Sequence, residues 1–104
     1  MIKHIVMWTL KEEARRDSIN QMKKMLESMQ NKVDGLTYLE VGINSISNDC
    51  ECDLFLYTEF QNKSSLKEYQ NNPDHLLIKK FVGPICDSRH QVDFEVNISL
   101  RDYC

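Results

Sequence analysis

Residues 2–10 read IKHIVMWTL, and this stretch decides how the remainder of the chain must be arranged. β-Branched and aromatic residues dominate it, as they do in strands. Side chains alternate across a strand, so Ile2, Val6, Trp8 and Leu10 share one face, and Ile5 and Met7 share the other. A strand that is apolar on both faces needs cover on both. CDLFLYTEF, residues 52–60, repeats the pattern, with Leu54 and Leu56 set against Phe55 and Tyr57.

Outward from these two strands the chain alternates between periods. Residues 11–35, KEEARRDSINQMKKMLESMQNKVDG, carry Ile19, Met22, Leu26, Met29 and Val33 at spacings of three and four, the apolar stripe of a helix. Glu12 and Glu13 suit its positive end, and Asp34-Gly35 is the expected stop. Met22, Met25 and Met29 read as adaptable core packing. LTYLEVGINSI, residues 36–46, returns to alternation, with Leu39, Val41 and Ile43 opposite Tyr38 and Glu40. Polar SNDCE, residues 47–51, is a loop. NKSSLKEYQNN, residues 62–72, reads as a short helix with Ser65 and Glu68 as a capping box. Pro73 restarts the chain into a second helix, DHLLIKKFV, which Gly83-Pro84 ends. HQVDFEVNISL, residues 90–100, alternates most cleanly: Val92, Phe94, Val96 and Ile98 against Asp93, Glu95 and Asn97.

The order β-α-β-β-α-β is the split βαβ plan of a ferredoxin-like α+β fold, an antiparallel sheet with helices on one face. Such a unit leaves its other face bare, while two strands are apolar on both sides. A homodimer packed through the bare sheet faces resolves the conflict.

With 104 residues the chain is expected to form one domain, 1–104. The net charge is −3 and no lysine- or arginine-rich run occurs, which argues against nucleic acid as a partner. No apolar run approaches the roughly 20 residues of a membrane span, and no secretory leader is read at the start, so a cytoplasmic location is expected. Cys50, Cys52, Cys86 and Cys104 are too sparse for a disulfide scaffold, and reduced thiols are expected. Cys50-x-Cys52 lacks a second ligand pair at metal spacing, so no metal site is expected. Cys86 has no evident activating partner for a nucleophile. Phosphate-binding glycine loops, dinucleotide fingerprints and nucleophile elbows are absent.

Five stretches carry a resemblance: IKHIVMWTLK, GLTYLEVGIN, DLFLYTEF, LKEYQNNPDH and QVDFEV. In this order they resemble the Dabb family, the stress-responsive α/β-barrel proteins, across nearly the whole chain. The resemblance implies a ferredoxin-like subunit that dimerises through its sheets into an α+β barrel. Some members are polyketide cyclases, in which a histidine of the proline-histidine segment is the general base and a tyrosine before it assists. The matching positions here are His75 and Tyr69, and a histidine near the start of the first strand matches His4. Many relatives carry a further histidine just before the proline, where this chain has Asn72.

The residues themselves leave two readings open. Asn72 is a good cap and Pro73 a good first helical residue, which sets His75 in the first turn of a helix. The positive helix end there disfavours imidazolium and leaves a neutral ring able to accept a proton, while Asp74 beside it pulls the other way. His75 is equally able to cap the helix, Tyr69 shares a face with Leu66 as core, and His4 lies on an apolar strand face. The expected ligand-binding set is His4, Trp8, Tyr69 and His75, around a small, partly apolar carbonyl or aromatic molecule in a cavity between the sheet and its helices. In the enzyme version His75 abstracts a proton next to a carbonyl and Tyr69 bonds the enolate oxygen, with no cofactor. A dimer with a filled interior is the structural alternative.

Overall fold

The computed structural model describes residues 1–46 and 52–96. Strand β1 (Ile2–Leu10) leads into helix α1 (Glu12–Glu27), then β2 (Leu36–Ile43), β3 (Leu54–Phe60), α2 (Lys63–Asn71), α3 (Pro73–Val82) and β4 (Cys86–Glu95), the last entered through one 3₁₀ turn, Gly83–Ile85. The four strands form one antiparallel sheet in the order β2-β3-β1-β4. The ferredoxin-like α+β plan read from the sequence is present.

All three helices lie over one face. Ile2, His4, Val6, Trp8 and Leu10 of β1 are buried beneath them, as are Leu54, Leu56, Thr58 and Phe60 of β3. Met22 and Leu26 of α1, Leu66 and Tyr69 of α2, and Ile78 and Val82 of α3 close the core from above. On the opposite face no described residue covers Met7, Tyr38, Val92 and Phe94, which are 38, 47, 50 and 42% exposed. Phe55 and Tyr57 lie half-buried among them, and Tyr57 packs edge-on against Tyr38.

Several boundaries differ from the sequence reading. Helix α1 ends at Glu27, not at Asp34-Gly35. There the Ser28 hydroxyl donates to the Met25 carbonyl, the amides of Met29 and Gln30 bond three residues back, and Asn31 takes a positive φ of 70°. Short-range bonds of this kind compete with helix continuation. The stripe survives the change, since Met29 and Val33 stay buried in the turns beyond. Gly35 (φ 88°) then passes so close to α2 that an added Cβ would stand 2.1 Å from the Ser65 hydroxyl oxygen.

Strand β2 stops at Ile43, where the Asn44 side chain accepts the Ile46 amide in a local turn, and Ile46 is exposed. The cap of α2 is Asn62, three residues ahead of the expected capping box. Its extended backbone frees the side chain to accept from the Ser65 amide and hydroxyl. Strand β4 starts at Cys86, four residues early, because the end of β1 pairs there: Leu10 faces Cys86 and Trp8 faces Arg89. The expected loop 47–51, with Cys50, and the stretch 97–104, with Asn97, Ile98 and Cys104, lie outside the described residues. Among the described residues, no helix is long and apolar enough to cross a membrane.

Candidate functional site

The break at Asn72-Pro73 aims the chain as the sequence reading proposes. Asn72 ends α2 in extended conformation, and its side-chain oxygen accepts the Asp74 amide at 2.9 Å, capping α3, with Pro73 as the first helical residue. His75 therefore occupies the first turn of α3 and turns inward. Ile78, Lys79 and Val82 follow at spacings of three, four and seven, on the same helix face.

Between that face and the sheet lies a cavity of about 540 Å³. His4 and Trp8 of β1, Leu26 of α1, Gln70 of α2 and His75, Ile78, Lys79 and Val82 of α3 line it, with Cys86, Arg89 and Gln91 of β4 on the remaining side. The volume lies in the range of small-molecule sites. His4, Trp8 and His75, three of the four residues singled out for ligand contact, stand on its wall. Tyr69, the fourth, does not line it: the ring is fully buried behind His75, with ring centres 4.5 Å apart.

Tyr69 also packs against Phe60 at 5.2 Å and His4 at 6.1 Å, so the two histidines and the tyrosine form one cluster. Its hydroxyl and the Nδ1 of His75 are buried without a hydrogen-bond partner among the described residues. Burial pushes the Tyr69 hydroxyl above the ordinary tyrosine range. Burial also pulls His75 down to about 4, with the positive charges of Lys79 and Arg89 acting in the same direction. The ring is neutral, as expected from sequence, but desolvation is the main cause. Asp74 does not oppose it, because that carboxylate bonds Lys32 at 2.8 Å on the exposed side.

His4 is 2% exposed and its Nδ1 lies 2.5 Å from Asp93 Oδ1. A carboxylate only accepts, so Nδ1 carries the proton. Burial lowers the pKa of His4, and the Asp93 carboxylate works against that shift. The other Asp93 oxygen accepts from Gln91 Nε2 at 2.7 Å.

Asp93, Gln91 and Arg89 were missed by the sequence reading, which separated the two parities of β4 without assigning either to a face. The pairing settles its direction: Asp93 faces His4, Gln91 faces Val6 and Arg89 faces Trp8, on the helix side of the sheet. The apolar parity, Val92 and Phe94, goes to the bare face beside Ile5 and Lys3. A two-faced β1 beside a one-faced β4 was the available signal. Cys86 is half-buried, its Sγ near the Ser88 carbonyl, and burial raises its thiol pKa, opposite to an activated nucleophile. No cluster of three metal-ligating side chains occurs among the described residues.

Comparison with known proteins follows the same outline. The model of the family described as Stress responsive A/B Barrel Domain matches residues 2–96. No curated protein matches the chain. Among solved structures, a dimeric protein of unknown function with a ferredoxin-like fold from Bacteroides fragilis is 29% identical (TM-score 0.82), covering 91% of this chain and 95% of its own. A Dabb family protein from Mesorhizobium loti is 22% identical (TM-score 0.70), with 92 and 96% of the two chains covered. A hydroxynitrile lyase from Passiflora edulis shares the fold at 16% identity (TM-score 0.78), covering 92 and 94%.

Proposed function

The chain belongs to the stress-responsive A/B barrel (Dabb) family, and from that premise we propose that it acts as a homodimer whose subunits each bind a small, partly apolar ligand in the cavity beneath α3. One observation carries the reading: a cavity of about 540 Å³ whose wall sets a neutral histidine, His75, beside the apolar side chains of Trp8, Leu26, Ile78 and Val82. Sites of this size with few, placed polar groups are the usual form of small-molecule pockets. Trp8, Leu26, Ile78 and Val82 offer the apolar surface, and His4, His75, Gln70 and Gln91 offer hydrogen bonds. That volume favours binding over a filled interior, the structural alternative.

The dimer is supported by the uncovered face. Met7, Tyr38, Val92 and Phe94 form an exposed apolar surface of the kind that marks an interface, and the related Bacteroides fragilis protein is described as dimeric. Packing sheet on sheet would cover it and supply the second face that β1 and β3 call for.

A cofactor-independent proton abstraction from a carbonyl compound is the second reading, favoured by the contact between Tyr69 and an unprotonated His75. Two facts rank it below binding. A base with a pKa of about 4 is weak at neutral pH, and the Tyr69 hydroxyl lies off the cavity wall. The Passiflora lyase shares the fold alone with this chain.

A thermal-shift screen of small aromatic and carbonyl compounds, on the wild type and on His75→Ala, tests the proposal. A ligand that binds the native state raises the melting temperature by mass action, with about 2.7 kcal/mol gained at a hundredfold excess over Kd. Compounds that stabilise the wild type and not the variant support binding at His75. No stabilisation by any compound returns the cavity to a packing defect of the scaffold.

A further inference from the structure

The charges around the cavity are one-sided. Lys79 and Arg89 line it and are exposed, so they stand where it meets solvent. Among the described residues no aspartate or glutamate lines it. Among the described residues neither cation lies within ion-pairing distance of a carboxylate: the salt bridges there join His4 to Asp93, Arg15 to Asp53, Lys23 to Glu27 and Lys32 to Asp74. Arg89 donates only to the neutral Gln91 side chain, at 2.5 Å. Asp93, on β4 beside two lining residues, has one oxygen on His4 and the other on Gln91. It is occupied in orienting those two side chains and does not neutralise the pair.

Resting on the binding reading above, we propose that the ligand is a small organic anion, a carboxylate on an apolar body, with its charge met by Lys79 and Arg89 and its body against Trp8, Leu26, Ile78 and Val82. A planar guanidinium matches a carboxylate, and an ammonium adds a point charge without demanding geometry. The neutral His75 and Gln70 are placed to bond a second polar group of the same molecule. A phosphate is less well served. The chain has three glycines, and the Asp74 amide at the α3 N-terminus is already taken by the Asn72 side chain. The cations of the site are side chains beside an apolar wall, an arrangement suited to a single negative charge with a greasy tail.

Titration calorimetry with matched pairs tests this on the intact protein near neutral pH. Hydrocinnamate and octanoate would be compared with their primary amides, and with phenyl phosphate, on the wild type, Lys79→Gln and Arg89→Gln. Both variants are exposed neutral replacements that leave the core untouched. The expected result is carboxylate binding about tenfold tighter than the amide, the scale of one charge-assisted contact. That advantage shrinks in either variant and with added salt, while the amides are unaffected. Equal binding of acid and amide, or no effect of Arg89→Gln on the acids, overturns the anion proposal and leaves the cavity reading intact. Phenyl phosphate binding in preference to both acids also overturns it. Failure of every probe to bind sinks both.

Discussion

His75 shows how far a side chain's surroundings set its chemistry. In the unfolded chain it takes up a proton near 6.5, and in the fold only near 4, because the charged ring would lose water without gaining a partner. The folded pKa is depressed, so the unfolded state binds more protons between the two values. The stability contributed by the neutral ring is therefore complete above about 6.5 and is lost as pH falls towards 4. His4 shifts in the same direction, also by burial. An NMR titration of the histidine ring signals is expected to leave His75 neutral down to below pH 5, whereas an ordinary midpoint would mean that the ring is open to water. Tyr69 supplies a second check at this scale. Its hydroxyl is buried with no partner among the described residues, so Tyr69→Phe is expected to leave stability unchanged or raise it by up to about 1 kcal/mol. A loss of more than that, read by chemical denaturation, would mean the hydroxyl holds a partner in the native protein. His4, Tyr69 and His75 were named as candidates from sequence because each lies in a recognisable stretch. Asp93, Gln91 and Arg89 were not, because alternation tells which residues share a face and never which face it is.

At the scale of elements, the α2–α3 junction aims His75 into the cavity, and Asn72 holds it. The side chain caps α3 while its backbone closes α2. Asn72→Ala should cost about 1 kcal/mol, and melting should fall by roughly 4–8 °C for a domain of this size. Melting curves of the variant check this, and an unchanged midpoint would mean that Pro73 alone starts the helix. This junction was readable beforehand because Asn-Pro acts locally, through the restriction that proline places on its predecessor. The end of α1 was not. Met29 and Val33 continue the apolar stripe at helical spacing, and it is the Ser28 hydroxyl and the positive φ at Asn31 that break the backbone beneath an unbroken pattern. The cap of α2 was misplaced for a similar reason: Asn62 and Ser65 both have capping side chains, and only the chain's entry angle selects the first.

For the whole molecule, two-sided β1 and β3 implied more than one subunit can provide. The helices cover one face, and the other keeps its apolar side chains in water. Val92, half exposed at the centre of that patch's β4 edge, gives the clearest perturbation. Val92→Asp is expected to convert a wild-type dimer into a monomer in sedimentation equilibrium at micromolar concentration, since a charge there would be buried unpaired. A wild type that sediments as a monomer would contradict the dimer outright. Ferredoxin-like order and sidedness were legible because burial imposes period on every element. A cavity between the sheet and its helices was expected beforehand, but its size and lining were not legible, since a gap between α3 and the sheet depends on how closely two packed layers approach, and periodicity carries no distance.

Trp8, on the cavity wall, is the chain's only tryptophan. Its indole N–H therefore gives one signal in a proton–nitrogen correlation spectrum, from the opposite side of the sheet to the face assigned to dimerisation. The decisive measurement follows that signal while aliphatic ketones and carboxylates that stabilise the protein are titrated in. A saturable shift of the Trp8 indole, weakened in His75→Ala, is the predicted result. Stabilising compounds that leave the indole signal where it was would place binding elsewhere and contradict the cavity as the functional site.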